Sequence, residues 1–501
     1  MKKIINGRLF SILLGVAFLG LWACSSDSGT DEKPAAITLT SDTNKIDFQT
    51  KGNVASVKIT TNATAWTVTT SDASWIQLSQ LSGGTGATTL SITALENTTT
   101  ATRTAVITIS SSQAASVKIA VSQVGVVPVV SLYPSYNTSP LPADATGMTS
   151  NAVELAAKIK LGWNIGNTLE AIGGETAWGN PKVTKALIDL VKANGFNAIR
   201  IPCSWDQNLA SSSTAQIKTE WLNRVKEVVQ YCVDNEMYVI VNIHWDGGWL
   251  ENNCTEAKKE ANNAKQKAFW EQIATHLRGF DEHLLFASAN EPNVENATQM
   301  AVLTSYHQTF IDAVRATGGK NANRTLIVQG PSTDIEKTSK LMLTLPTDKV
   351  ASRMMVEVHY YTPYQFCLMD KDADWGKMFY YWGADYHSTT DTDRNPTWGE
   401  EADLDKFFLS MKTQFVSKGI PVILGEFGAI RRDLTGDDLT LHLNSRAYYL
   451  KYVVKQAKAN GLIPFYWDAG NMGVNSMSLF NRTNNTVYDS QALTALQDGL
   501  K

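Results

Sequence analysis

Two glutamates in this 501-residue chain stand where acid–base chemistry would want them. Glu291 sits in Ala289-Asn290-Glu291-Pro292, and Glu426 follows Gly425 at the end of an apolar run. Other polar residues hold comparable places, at or just past the end of an apolar stretch: Asn164, Asn167 and Glu170; Arg200; His244 and Trp245; Asn290; His359 and Tyr361; Trp467 and Asp468. Two carboxyls among neutral hydrogen-bonding groups and aromatic rings suit the hydrolysis of an acetal. The glycosidic oxygen is a poor leaving group and needs a proton, so one carboxyl has to stay neutral near neutral pH. The other has to be ionised, to attack the anomeric carbon or to stabilise its positive charge. Taken singly, a glutamate at a strand end could as well cap a helix or pair with an arginine. The joint pattern is what points to hydrolysis.

Those residues need a frame to bring them together. Eight apolar runs of β type follow residue 148, at 161–166, 198–202, 238–244, 284–289, 326–329, 354–360, 422–425 and 463–467. Amphipathic helical patterns lie between them at 182–194, 219–236, 258–278, 300–316, 404–418 and 445–460. Near-continuous apolar strands imply burial on both faces, as in a parallel sheet. Eight of them predict an α/β fold, a (β/α)8 TIM barrel whose strand C-termini line the reactive face. A doubly wound open sheet is the alternative, but no glycine-rich nucleotide loop follows the first strand.

Residues 36–125 differ in character: rich in Thr, Ser, Val and Ile, with short period-two runs such as 54–59, 89–93, 105–109 and 117–121. They predict a small all-β, immunoglobulin-like sandwich preceding the barrel. Trp66 and Trp75 read as its core, and the module as a stalk. Pro128, Pro134, Pro140 and Pro142 mark residues 126–147 as a semi-rigid linker, and the catalytic domain is expected over 148–501. At the N-terminus, Lys2, Lys3 and Arg8 precede an apolar run that ends at Leu21-Trp22-Ala23-Cys24. Residues 1–23 read as a lipoprotein signal peptide, with Cys24 as the lipid attachment site that anchors the chain to a membrane. The expected location is the outer membrane, on the cell surface, with its periplasmic side as the alternative. A net charge of −4 with no basic cluster leaves nucleic acid without a footprint. The four later cysteines, Cys203, Cys232, Cys254 and Cys367, have no metal-knuckle spacing, and Cys203 and Cys232, in apolar runs, read as buried free thiols.

The motifs as a set carry a resemblance. Gly162 to Glu170 (GWNIGNTLE), Asn197 to Pro202 (NAIRIP), Asn242-Ile243-His244, Ala289 to Pro292, Val358 to Tyr361 and Gly425 to Gly428 together resemble glycoside hydrolase family 5. The long first motif and Trp178-Gly179-Asn180-Pro181 point to its subfamily 4. The N-terminal segment resembles a BACON-type module. The resemblance implies a retaining endo-β-1,4-glucanase with Glu291 as acid/base and Glu426 as nucleophile. It further implies that Arg200 sits beside Glu426 and lowers its pKa, and that Asn290 binds the sugar 2-hydroxyl. His244 would bind the central sugar, His359 orient Glu291, Tyr361 reach Glu426, and Trp467 lie under the reacting ring. Asn164 joins the substrate-binding set. With a BACON-type module and a lipid anchor, the chain is similar to xyloglucan endo-glucanases, so xyloglucan is the expected substrate. Mixed-linkage β-glucan or cellulose is the alternative, and a surface polysaccharide-binding protein is the reading from another class.

Weaker signals complete the picture. Trp178, Trp245, Trp249, Trp375, Trp382 and Trp398 are candidates for sugar stacking. Asp370 to Asp374 mimics the start of a calcium loop, but its glycine, Gly376, comes one place late and Tyr381 stands where a bidentate glutamate belongs. His244 and His359 lack a third ligand at recognisable spacing. No metal and no other cofactor is expected, and the chain is expected to act as a monomer.

Overall fold

The computed structural model describes residues 35–126 and 131–501, so the signal segment and Cys24 lie outside the described residues. Two compact units emerge, divided after Val130.

In the first unit, two sheets face each other. One has the order Leu39–Ser41, Asn53–Thr61, Gly86–Ala94, Ile76–Leu78. The other runs Lys45–Phe48, Ala114–Gln123, Arg103–Ser111, Trp66–Thr70, Ser82–Gly83. Alternation along the long strands sends Val57, Ile59, Leu90, Ile92, Ile107, Ile109, Ile119 and Val121 into the shared core. Trp66 and Trp75 are buried with them. Trp75 donates from Nε1 to Asp72 at 3.0 Å, and the Arg103 guanidinium covers its ring at 4.5 Å. Neither tryptophan is free to serve as a sugar platform.

The second unit is a closed barrel of eight strands. They are β1 (Gly162–Ile165), β2 (Ala198–Ile201), β3 (Tyr238–Asn242), β4 (Leu284–Ala287), β5 (Leu326–Gln329), β6 (Met354–Tyr360), β7 (Val422–Phe427) and β8 (Leu462–Asp468). All neighbouring pairs are parallel. Period two decides what faces inward. Ala198, Ile240, Leu285, Ala287, Ile327, Met355, Ile423, Ile463 and Phe465 fill the barrel, and the helix Ala152–Lys158 closes its lower end with Ala152 and Leu155. The alternate residues pack outward against the helices. Side-chain caps set several helix starts: Thr184, Asn296 and Asp334 accept the N–H three residues on.

The structure moves one boundary. Residues 131–147, read from their prolines as linker, belong to the barrel unit. Tyr133 and Tyr136 pack on its core. The Glu271 carboxylate accepts the Tyr136 N–H at 2.6 Å, the Asn137 N–H at 3.2 Å and the Ser135 hydroxyl at 3.1 Å. Leu141–Ala143 pairs in parallel with Gly318–Gly319. Proline stiffens a segment but does not keep it off a surface that offers an anion and apolar contacts. Short helices at Ile335–Leu341 and Ser490–Asp498 also escaped the periodicity reading.

Candidate active site

Parity along the strands explains most of the site. Arg200, Asn242, Gln329 and Glu357 share the inward face with the apolar residues two positions before them, and His359 follows Glu357 on that face. Glu426 should break this rule, because Ile423 points in and Leu424 points out. Pairing between β6 and β7 resolves it: Val358 opposes Leu424 and His359 opposes Glu426, so Gly425 is an extra residue in β7. This bulge turns Glu426 inward. Glycine is needed there, because a Cβ on Gly425 would fall 2.2 Å from Glu357 Oε1.

Arg200 is fully buried, and Nη1 and Nη2 donate to protein groups, whereas Nε makes an ion-pair contact without hydrogen-bond geometry. Nη1 donates to Glu426 Oε1 at 2.8 Å and to Asn164 Oδ1 at 3.0 Å, and Nη2 donates to Asn290 Oδ1 at 2.8 Å. Nε lies 2.9 Å from Glu357 Oε1. Asn164 is equally enclosed and gives its amide hydrogens to main-chain carbonyls, Gly425 O at 2.8 Å first. Both residues were expected in the substrate-binding set, Arg200 beside Glu426. Their burial and their bonds to protein make them braces for Glu426 and Asn290.

His359 stands between the carboxyls. Its Nδ1 lies 2.7 Å from Glu291 Oε1 and 3.7 Å from Glu426 Oε2, and its Nε2 lies 3.2 Å from Glu357 Oε1. Burial works against a charged imidazole here, but Glu426 and the bonds to Glu291 and Glu357 outweigh it and carry its pKa to about 10. The ring therefore holds two protons and donates from both nitrogens at neutral pH. Tyr361 donates its hydroxyl to Glu426 Oε2 at 3.1 Å. Thr333, with Ser332 in a left-handed turn after β5 (φ 46° and 53°), brings its hydroxyl to 3.5 Å from Glu291 Oε1.

One oxygen from each of Glu291 and Glu426 and a ring nitrogen of His359 lie within 4.8 Å of one another. Burial raises Glu291, but the hydrogen bond and charge of His359 bring it below the ordinary carboxylate range. Burial raises Glu426 and wins: His359 and Arg200 pull it down, but Glu291 and Glu357 push the other way. Arg200 does lie against Glu426, as the resemblance implied, yet it does not depress that carboxyl below its usual value.

On the other side of the mouth, His244 and Trp467 present nearly parallel rings, 10° apart with centroids at 5.8 Å. Burial and the charges of Arg200 and His359 hold His244 neutral, well below its usual pKa. Asn242 Nδ2 lies 3.3 Å from its Nδ1. Glu170 and Asp246 have structural duties: Glu170 accepts the N–H of Thr168 at 2.9 Å, and Asp246 accepts the N–H of Trp205 at 2.8 Å and Nε1–H of Trp249 at 2.9 Å. A cleft of about 400 Å³ runs from Glu291 and His359 past Thr333 to Tyr364 and Trp398. Trp178, Trp245, Trp375 and Trp398 are exposed. Trp249 is half-buried and tied to Asp246, and Trp382 is fully buried with Nε1 donating to Gly399 O at 2.8 Å, so neither offers a free face. The loop over 361–400 that carries Tyr364, Trp375 and Trp398 is pinned by buried Arg432, which donates to the carbonyls of Gln365, Phe366, Met369 and Phe379 at 2.6, 3.1, 2.8 and 2.9 Å.

The reading from residue types missed Glu357, Thr333 and Glu251. Glu357 had a signal: a carboxylate inside an apolar strand, two residues before His359, must share its face and find a cation. Cys203, Cys232, Cys254 and Cys367 are buried free thiols. Among the described residues, no helix is long and apolar enough to cross a membrane.

Comparison with known proteins bears on this arrangement. Residues 164–473 match the cellulase family, glycosyl hydrolase family 5, and residues 64–124 match the BACON domain. The xyloglucan-specific endo-β-1,4-glucanase of Bacteroides ovatus is 36% identical over 98% of this chain and 95% of its own. A solved Bacteroides ovatus family 5 xyloglucanase, in complex with a XXXG heptasaccharide, superposes with a TM-score of 0.69 at 35% identity, covering 93% of this chain and all of that one. A xyloglucan-specific β-1,4-glucanase from a ruminal metagenomic library reaches 0.66 at 39% identity over 70% of this chain and 96% of that one. A broad-specificity subfamily 4 endoglucanase from Ruminococcus champanellensis, with bound cellotriose, reaches 0.59 at 34% identity over 69% and 98%.

Proposed function

The chain belongs to glycosyl hydrolase family 5 and is an endo-β-glucanase, and from that premise we propose that it cuts xyloglucan within the chain and with retention of configuration. The observation that carries the mechanism is the separation of Glu291 and Glu426, whose oxygens come within 4.8 Å. Retaining enzymes hold their carboxyls about 5–5.5 Å apart, whereas inverting ones leave about 6.5–9.5 Å for a water.

Glu426 attacks the anomeric carbon, held in line by Arg200 and the Tyr361 hydroxyl. Glu291, half-exposed toward the cleft, protonates the departing oxygen. The Nδ1 proton of His359 lies on the hydrogen bond to Glu291 Oε1, so Glu291 can draw on it as the glycosidic oxygen arrives. Glu291 then removes a proton from water, which hydrolyses the glycosyl ester on Glu426. Asn290 donates to the sugar 2-hydroxyl, neutral His244 binds beside it, and Trp467 packs under the ring.

Xyloglucan as substrate rests on the relatives that are specific for it and on exposed aromatics beside the loops after β1, β3 and β6, which suit a long branched chain. The broad-specificity relatives favour mixed-linkage glucan or cellulose as the second reading. A purely binding role has no use for two carboxyls braced in this way. Hydrolysis of tamarind xyloglucan, barley β-glucan, carboxymethylcellulose, mannan and xylan, with products resolved by size, tests the proposal. Large xyloglucan oligosaccharides as first products support it; glucose or cellobiose alone in the first minutes sinks the endo reading, and a tenfold preference for barley glucan sinks the substrate.

We also propose that Cys24 carries the lipid and that the monomeric enzyme is held at the outer membrane with its barrel at the cell surface. The charged start, short apolar run and Leu-Trp-Ala-Cys ending support this. Detergent-phase partitioning of the wild type and of Cys24→Ala tests it; partitioning unchanged by the substitution would refute it.

A further inference from the structure

Asn290 has one role that depends on which way its amide points. To donate to a sugar hydroxyl it must present Nδ2, and a flipped amide would present an acceptor. Arg200 fixes one end of it, because Nη2 donates to Oδ1 at 2.8 Å. A residue outside the strand-end set holds the other. Glu251, in the loop after β3, is only 9% exposed. Its Oε2 lies 3.5 Å from Asn290 Nδ2 and accepts the main-chain N–H of Glu291 at 3.1 Å. Its own carbonyl accepts the Asn293 N–H at 2.8 Å, so this loop grips the segment on both sides of the acid/base. With Oδ1 on a cation and one Nδ2 hydrogen facing a carboxyl, this orientation of the amide is favoured over the flipped one. The second Nδ2 hydrogen is left for substrate.

We propose that Glu251 is a positioning residue for the hydrolysis: it orients the Asn290 amide so that Nδ2 meets the 2-hydroxyl of the reacting sugar. The inference rests on the reading of Asn290 as the donor to that hydroxyl. The charge on Glu251 matters to its strength, since an ionised acceptor makes the stronger bond. Burial first, then the charges of Glu291 from the end of β4 and Glu426 from β7, push the Glu251 carboxyl up to about 7, while the Glu291 N–H and the Asn290 amide draw it down. Cys254, on its own loop, is a buried thiol raised to about 12 and stays neutral. The clamp therefore tightens as pH rises through neutrality.

The test compares an aryl β-cellobioside with its analogue lacking the 2-hydroxyl on the reacting ring, using the full chain. Glu251→Ala is expected to lower kcat/KM on the parent about tenfold or more and on the 2-deoxy analogue by less than about threefold. Glu251→Gln keeps an acceptor oxygen and should hold the preference for the 2-hydroxyl within about threefold of wild type at pH 6. Equal losses on both substrates, in a variant with unchanged circular dichroism, would overturn the proposal, as would no loss on the parent. If the alanine variant does not fold, Glu251→Gln decides alone. The wild-type preference should rise between about pH 6 and 8 and that of the glutamine variant should stay flat; parallel pH profiles would refute the assignment.

Discussion

His359 Nδ1 lies 2.7 Å from Glu291 Oε1, so the proton nearest the acid/base oxygen belongs to an imidazolium rather than to a carboxyl. With the ring at about 10, that proton is present across the neutral range. Replacing His359 with Gln should lower kcat/KM about 100-fold or more on glycosides with poor leaving groups. On a dinitrophenyl glycoside, which departs without a proton, the loss should stay within about tenfold. A uniform loss across leaving groups would mean that His359 serves packing alone.

The same residue couples stability to pH. Its folded pKa lies above the ordinary histidine value of 6.5, so its contribution is complete below about 6.5 and is lost as pH rises through about 10. The wild-type Tm should therefore fall more steeply between pH 7 and 10 than that of His359→Gln. Calorimetry across that window checks this; parallel curves would contradict the charged ring.

Truncation tests where the catalytic unit begins. A chain starting at Ser131 should match the full chain in turnover on soluble glucan and in barrel Tm. Starting at Met148 leaves buried Glu271 without Ser135 and the N–H groups of Tyr136 and Asn137, with only Lys267 at 3.3 Å. Losing those partners should cost about 1–3 kcal/mol and lower the Tm. An unchanged Tm would return residues 131–147 to the status of linker.

How much could be read beforehand follows from what each residue depends on. The eight strands were legible because burial on both faces leaves an unbroken apolar run. Most strand-end residues were legible because period two carries them inward. The inward aim of Glu426 depends on the Gly425 bulge, which only the pairing with β6 reveals. Arg200 was legible as the neighbour of Glu426, but its further partners, and the enclosure of Asn164, come from strands far apart in sequence. Glu251 belongs to a loop with no periodic signal, and its partners come from β4. Trp382 looked like its exposed neighbours because burial in a loop is decided by what packs on it, here Tyr448, Tyr449 and Tyr452.

Arg432 links the strand of the nucleophile to the loop bearing Tyr364 and Trp398. Arg432→Gln removes a charge that carbonyl groups, the Met378 sulfur and the Tyr380 ring receive. The loop should loosen, raising KM on polymeric xyloglucan by about tenfold while turnover of a small aryl glycoside changes by less than about threefold. Equal effects on both substrates would show that the loop supports the reacting groups rather than the chain beyond them.

Retention of configuration is the most direct consequence of the Glu291–Glu426 separation. Proton NMR of a xyloglucan oligosaccharide digest, recorded before mutarotation, reads the anomer released first. The β-anomer is expected, because attack by Glu426 and then by water inverts the centre twice. An initial α-anomer would mean a single displacement by water, and Glu426 could not be the nucleophile.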